Sequence, residues 1–242
     1  MVGQLSCRVP TDWFLDPSMC WFEWQTLVSA MLALLAAFIG ALFLNRQIIQ
    51  SERHERARVS RRYRASRRTL RLALHDVDEF AQASIYSLEA AYNAFVATGS
   101  DLADCDFEIP KLSELAQQRL SAILETSDDP SVISLVDSIL NEIQVVLARM
   151  NSLRTRRARR GLVGISGNFC FCIIRCAALH AMSDGLFSYA RQRSETAPIS
   201  VSWDEVESVL DMLQLYPQDY PELFKLLEVR RQMHPSVWTA NA

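Results

Sequence analysis

The amino-acid sequence predicts an all-α protein: one N-terminal transmembrane helix, able to continue unbroken into a long cytoplasmic helix, and a cytoplasmic helical bundle. Three observations support this. An uncharged apolar stretch lies near the N-terminus, apolar residues then recur at intervals of three and four, and no long alternating pattern indicates strands. Half of the 242 residues are hydrophobic and only seven are glycine, which excludes a collagenous or wholly disordered chain.

The transmembrane prediction rests on residues 27–44, which are uncharged and include only Ser29 as a polar side chain. With the three preceding residues this stretch reaches about 20 residues, enough to cross a hydrocarbon core of about 30 Å. A cleaved signal peptide would instead carry basic residues before its apolar core and a small-residue cleavage site after it. We therefore predict a transmembrane helix over 24–45. Aromatic residues typical of a bilayer interface precede it: Trp13, Phe14, Trp21, Phe22 and Trp24.

Charge on either side of this helix predicts its orientation. Residues 46–71 hold ten arginines and two glutamates, whereas residues 1–26 hold one arginine and three acids. Basic residues stay in the cytoplasm, so the N-terminus should lie outside. The predicted divisions are a periplasmic segment (1–23), the transmembrane helix (24–45), a basic juxtamembrane helix (46–71), a cytoplasmic helical domain (72–235) and a tail (236–242).

The net charge of −3 hides opposed blocks and cannot be used to exclude membrane contact. The basic helix lies where anionic lipid would meet it, and this position explains the arginines without invoking nucleic acid, which we do not expect as a partner. A second basic cluster, Arg149–Arg160, is open to three interpretations: a solvated helix end, another lipid contact, or a partner for the acidic helix 76–89. The predicted lipid contacts are Arg46, Arg53, Arg56, Arg58, Arg61, Arg62, Arg64, Arg67 and Arg68.

Helical periodicity continues through the cytoplasmic region. The first apolar stripe runs from Leu70 to Phe95, and Gly99 should end its helix. Ser202 and Glu205 form a capping-box pattern, and Pro221 suits the first turn of a helix. The longest strand-like pattern is ISVSW at 199–203. The five later helices are predicted over about 112–124, 132–153, 168–193, 203–215 and 221–233.

Two features near the membrane bear on self-association. Small residues spaced four apart let transmembrane helices approach closely, which would favour a homo-oligomer. Cys7 and Cys20 lie on the predicted periplasmic side, where a disulfide within or between chains can form. The small-residue stripe is Ser29, Ala33, Ala37 and Ala41.

One cluster has metal-ligand chemistry. Cys172, Cys176 and His180 fall on one face if their segment is helical, and thiolate and imidazole both bind zinc. One helix face usually supplies two ligands rather than four, and buried cysteines pack well in cores. We therefore expect core packing here, with redox sensing as a smaller alternative, and no cofactor.

Residues 162–182 are apolar enough to raise the question of a second transmembrane helix. Arg175 lies near their middle, and a central arginine costs at least about 2.5 kcal/mol on insertion scales. We therefore predict a buried or membrane-facing helix. A real second span would place residues 183–242 outside.

The sequence contains no catalytic signature that we can identify. The motifs G-x-S-x-G, H-E-x-x-H and H-x-E and a Gly-rich phosphate loop do not occur. His75 and Glu79 share a helix face, but an exposed helix explains them without chemistry. We predict a protein without enzymatic activity.

The anchor region combines a W-Q-T-L entry, an Ala/Leu-rich span, an R-Q-I exit and an Arg-rich helix, at Trp24–Leu27, Arg46–Ile48 and Arg61–Leu74. In this pattern, which covers about a quarter of the chain, it resembles a diffuse group of uncharacterised proteobacterial single-pass membrane proteins. The resemblance implies a bacterial inner membrane and helical architecture, and it implies no activity. We expect an interaction or scaffold module tethered to the inner membrane, with an unknown protein partner. The first alternative is a membrane-bound sensor or effector of a signalling or phage-defence system, and the second is an enzyme. A deep pocket with convergent polar groups would favour sensing or catalysis.

Overall fold

The fold comes from a computed structural model that describes residues 17–98, 107–156, 165–198 and 200–239. These residues form six α-helices and two strands of two residues each, which confirms the all-α prediction. The elements are α1 (Pro17–Thr98), α2 (Glu114–Thr126), α3 (Pro130–Arg156), α4 (Ile165–Ala190), β1 (Ser200–Val201), α5 (Trp203–Met212), α6 (Pro221–Met233) and β2 (Trp238–Thr239).

Internal contacts divide the chain into two units, Met1–Arg58 and Val59–Ala242. Helix α1 is continuous over 82 residues and contributes to both units, so the predicted transmembrane and cytoplasmic helices are a single element. No proline or glycine interrupts residues 41–98, which leaves every backbone donor of that stretch able to continue the helix.

The first unit contains the apolar stretch. Every side chain from Leu27 to Leu44 is exposed, including large ones such as Leu34 and Phe38. An ion pair between Glu52 and Arg56, one helical turn apart, lies further along the helix with both side chains exposed. An apolar surface of this extent is unstable in water and marks contact with lipid or another protein.

The second unit begins with the remainder of α1, whose predicted apolar stripe is buried. Phe95, half-buried at the end of the stripe, packs its ring against Phe169 of α4 with 6.4 Å between centroids. Helix α1 extends to Thr98, and Gly99, the predicted stop, lies outside the described residues. The buried residues of the stripe are Leu70, Leu74, Val77, Ala81, Ile85, Leu88 and Tyr92.

Helix α4 is the core element of this unit. It contacts α3, α5 and α6, and the Ser183 hydroxyl donates to the Leu74 carbonyl of α1 at 3.1 Å. Nearly all of its residues from Phe169 to Met182 are buried, on every side of the helix. Such a helix has no polar face because its neighbours cover it all round.

Two helices end earlier than predicted, and the cause is local. Helix α4 ends at Ala190 rather than near residue 193, and α5 ends at Met212 rather than near residue 215. Each end is followed by a glutamine in the left-handed conformation, Gln192 at φ 60° and Gln214 at φ 64°. This conformation redirects the chain and terminates a helix, and glutamine gives no sequence signal for it.

The C-terminal elements follow the predicted caps. The Ser202 hydroxyl accepts from the Glu205 amide at 3.3 Å and the Ser202 amide donates to Glu205 Oε2 at 2.5 Å, so the capping box of α5 is confirmed. Pro221 is the first residue of α6, as predicted. Of the strand-like segment only β1 is a strand, and it pairs antiparallel with β2, with Val201 opposite Trp238.

Three described helices are long and apolar enough to cross a membrane, in α1, α3 and α4. They differ in how far the protein covers them. The most apolar window is 0% buried in α1, 33% buried in α3 and 78% buried in α4.

Candidate functional site

A cleft of about 270 Å³ opens in the second unit between α3, α4 and α6. Helix α3 contributes Asn141 and Glu142, and α4 contributes Phe171 and Arg175. Phe171 and Arg175 are four residues apart, so their side chains project from the same face of α4. Arg230 of α6 completes the polar wall.

Three arginines surround the ring of Phe171, and two of them, Arg175 and Arg230, also line the cleft. The guanidinium carbons of Arg149, Arg230 and Arg175 lie 4.2, 4.4 and 4.9 Å from the centroid of Phe171. A cation over an aromatic face is attracted by the negative face of the ring. Phe171 therefore helps to hold three like charges close together, which Coulomb repulsion alone would oppose.

One carboxylate lies among these cations. Arg175 Nη1 donates to both carboxylate oxygens of Glu142, at 2.7 and 2.5 Å, with both side chains about three-quarters buried. Arg175 Nε is buried and has no acceptor within the described residues. The guanidinium groups of Arg149 and Arg230 have no hydrogen bond or ion pair to the described part of the chain, so three positive charges share the one carboxylate of Glu142.

Burial and the neighbouring positive charges both lower the pKa of Arg230. Burial lowers the pKa of its guanidinium from the usual value, and the charges of Arg175 and Arg149 lower this pKa further, while Glu142 acts in the opposite direction. The charged form of Arg230 is therefore held in a place where it lacks a counter-charge. An anion entering the cleft would supply one.

Indole rings form the apolar side of the cleft. Trp203, the first residue of α5, is buried, and its indole Nε1–H donates to the His234 carbonyl at 2.7 Å. Trp238 of β2 is also buried and lines the same cleft. Hydrogen bonding and strand pairing therefore fix these walls before any ligand arrives.

No protein-family model matches this chain, and no curated protein or solved structure is significantly similar to it. The interpretation of the cleft therefore rests on its own geometry.

The predicted cysteine and histidine face has a different environment. Cys172, Cys176 and His180 are buried on α4, and burial raises the pKa of Cys172 to about 11, which keeps its thiol protonated. A hydrogen bond of 3.1 Å joins His180 Nε2 to the Gln82 amide nitrogen, and Asp78 Oδ1 lies 3.6 Å from His180 Nδ1. Within the ranges described, no three His, Cys, Asp or Glu side chains form a possible metal site.

The arginines predicted to contact lipid fall in both units. Eight of them are exposed, and the exception is Arg67. Its guanidinium lies 4.1 Å from the Tyr189 ring centroid and donates to the carbonyls of Tyr189 and Ser194, at 3.0 and 2.6 Å. Arg67 thus satisfies carbonyls at the C-terminal end of α4, and its contacts are with protein. The exposed arginines are Arg46, Arg53, Arg56, Arg58, Arg61, Arg62, Arg64 and Arg68.

The structure also describes the small-residue stripe and the pair of His75 and Glu79, but not the side chains of the N-terminal cysteines. The small-residue stripe of Ser29, Ala33, Ala37 and Ala41 is exposed along α1. His75 Nε2 lies 3.3 Å from Glu79 Oε1 with both side chains mostly exposed, as expected of a surface helix. Cys7 and residues 157–164 lie outside the described residues, and the side chain of Cys20 is also not described.

Parts of the site were recognisable in the sequence but were not connected. Arg149 belongs to a predicted basic cluster and Arg175 is a costly residue in an apolar helix, whereas Phe171 and Arg230 were not predicted. The spacing of Phe171 and Arg175 places them on one face of α4, which was a usable signal. The contributions of α3 and α6 depend on tertiary packing and leave no local pattern.

Proposed function

We propose that this chain is a single-pass, membrane-anchored sensor whose helical unit binds a small anion in the arginine cleft. The observation that carries the proposal is the convergence of three arginines on Phe171, with one carboxylate between them, at a cavity of small-molecule size. Small-molecule sites are concave and combine apolar walls with a few convergent polar groups.

The anchor is the apolar stretch of α1. Its side chains are covered by no other part of the described protein, whereas the comparable window of α4 is 78% buried and therefore has a protein environment. Helix α4 also carries Arg175, which pairs with Glu142, and charged side chains are costly in the hydrocarbon core of a membrane. One span through α1, with α4 as a core helix, is the arrangement that this difference in burial favours.

The exposed arginines of α1 support a location for the second unit. Eight exposed arginines after the span favour a cytoplasmic position for the second unit and contact with anionic lipid. Each such residue near an anionic surface contributes about 1 kcal/mol to attraction. Together with the resemblance of the anchor region, this supports the inner membrane of a bacterium as the site of action.

Thermal unfolding of the full chain in an uncharged detergent tests the sensor function. Phosphate, sulfate and malonate, added separately, should raise the Tm of the wild type for at least one anion, because a ligand that binds only the folded state stabilises it. The same anion should leave the Tm of Arg230→Gln unchanged. If none of the three anions raises the wild-type Tm at millimolar concentration, the sensor function is wrong.

A tethered interaction or scaffold module is the second candidate. Val229 and Met233 are exposed and lie one turn apart on α6, and Met212 at the end of α5 is exposed as well. Such residues suit a protein interface. Affinity purification from membranes followed by mass spectrometry tests this role, and the absence of a reproducible partner would contradict it.

A further inference from the structure

We infer that the ligand of the arginine cleft is a water-soluble phosphomonoester carried on a small, flat, apolar group. This inference rests on the proposed sensor function and specifies its ligand. Three properties of the cleft select this class: its charge, its available hydrogen-bond donors and its aromatic walls.

The charge around Phe171 matches a dianion. Arg175 and Arg230 line the cleft, Arg149 lies against the same ring without lining the cleft, and Glu142 removes one of these three positive charges. A phosphomonoester carries close to two negative charges at neutral pH because its second pKa is about 6. A monocarboxylate would neutralise only half of the excess, and a cation would increase it.

The donors suit a tetrahedral oxyanion. Glu142 engages Nη1 of Arg175, so Nη2 has no hydrogen bond to the described residues, and Arg230 offers its whole guanidinium to the cleft. Two planar guanidinium groups on different helices can each donate to separate phosphate oxygens. The exposed guanidinium of Arg149, on the same ring, adds long-range attraction.

The remainder of the ligand is apolar. Phe171, Trp203 and Trp238 line the cleft beside the arginines, with Met182 and Ile174 of α4 adjacent. Aromatic walls favour a flat apolar group through stacking and burial. A cavity of about 270 Å³ holds one small ring with its phosphate and excludes a macromolecule.

Isothermal titration calorimetry on the full chain in uncharged detergent tests this inference, with phenyl phosphate, inorganic phosphate and phthalate as probes. Phenyl phosphate should bind most tightly. Arg230→Gln should weaken its binding at least about tenfold, because a charge-assisted hydrogen bond is lost, and Arg230→Lys should give an intermediate loss. Arg191→Gln is the matched control, since Arg191 also lies over a phenylalanine ring, 5.1 Å from Phe187, but does not line the cleft. It should bind like the wild type.

The pH supplies a readout specific to the dianion. Lowering the pH from 7.5 to 5 converts most of the phenyl phosphate to its monoanion and should weaken binding severalfold. Binding that is equal at both pH values would overturn the assignment of a dianion. An unchanged Tm of Arg230→Gln, measured without ligand, excludes loss of the fold as the cause of weaker binding.

The remaining outcomes separate the ligand class from the sensor function. Tight binding of phthalate with none of phenyl phosphate would overturn the phosphomonoester and leave the sensor standing. Binding of none of the three probes, with no rise in Tm from phosphate, sulfate or malonate, would remove both. Nanodiscs that contain phosphatidic acid test the source of the phosphate. If this lipid displaces phenyl phosphate, the ligand is a lipid headgroup and the water-soluble assignment is wrong; undisturbed binding supports it.

Discussion

At the scale of single residues, Phe171 and Glu142 solve the same problem by different means. Both allow arginines to lie close together, Phe171 through the face of its ring and Glu142 through a carboxylate bonded to Arg175. The ring adds no charge, so it organises the guanidinium groups while leaving them attractive to an anion. The carboxylate neutralises one of them and competes with any anion that enters.

Glu142→Gln should therefore change stability and affinity in opposite directions. Losing the carboxylate leaves Arg175 partly buried with a weaker acceptor and should destabilise the helical unit by about 1–2 kcal/mol. For a unit of this size that loss lowers the Tm by about 2–8 °C, measurable by circular dichroism. Affinity for phenyl phosphate should rise severalfold, because the local charge becomes more positive.

The exposed Asp137 on the same helix supplies a control for this variant. Asp137→Asn removes one negative charge from α3 at a position outside the cleft lining, so neither quantity should change by more than a small amount. Equal gains of affinity in both variants would show that the effect is general attraction rather than the cleft.

At the scale of elements, local chemistry made most helices predictable. The capping box of Ser202 and Glu205 and the proline that opens α6 each act within one turn, so the sequence alone reveals them. The environment of an apolar helix is not local in this sense. Periodicity cannot tell whether lipid or protein covers a helix without a polar face. The apolar window is 0% buried by the protein in α1 and 78% buried in α4.

An arginine introduced into the apolar window of α1 and one introduced into that of α4 should have different effects on the protein. Leu35, 58% exposed on α1, and Ile173, 1% exposed on α4, are both central in their apolar windows. Leu35→Arg should reduce membrane insertion, at a cost of about 2.5–3.5 kcal/mol, and leave the helical unit folded. Ile173→Arg should leave the chain in the membrane and unfold that unit, because the new charge is buried without a partner.

Alkaline extraction of membranes reports the first property, and limited proteolysis of the helical unit reports the second. Leu35→Ala and Ile173→Val are mild controls that keep both positions apolar and should resemble the wild type in both assays. If Ile173→Arg alters membrane insertion while the helical unit stays resistant to protease, α4 is a transmembrane helix and the single-span proposal fails.

At the scale of the whole molecule, blocks of charge were readable in the sequence, but their partners were not. The basic block after the span stays largely exposed, whereas Arg67 turns to the end of α4 and Arg149 to Phe171. Contacts such as Arg175 with Glu142 join residues 33 positions apart and depend on how helices pack. Composition could therefore predict which regions are basic, while the cleft required the fold.

The distribution of arginines around the span makes the orientation of the molecule testable. Arg46, Arg53, Arg56 and Arg58 are exposed and follow the span closely, within the distance over which basic residues act on topology. Changing these four and Arg61, Arg62 and Arg64 to Gln leaves three arginines in residues 46–71, and Gln4→Arg, Ser6→Arg and Thr11→Arg give four arginines in residues 1–26. A reporter fused after residue 242 should then change from cytoplasmic to periplasmic activity.

Changing the same seven arginines to Lys keeps the charge and should keep the reporter cytoplasmic, which separates charge from any specific role of the guanidinium. A reporter that stays cytoplasmic in the reversed variant would show that the second unit, rather than the arginines, decides the orientation, because a stably folded domain can resist translocation whatever the flanking charge.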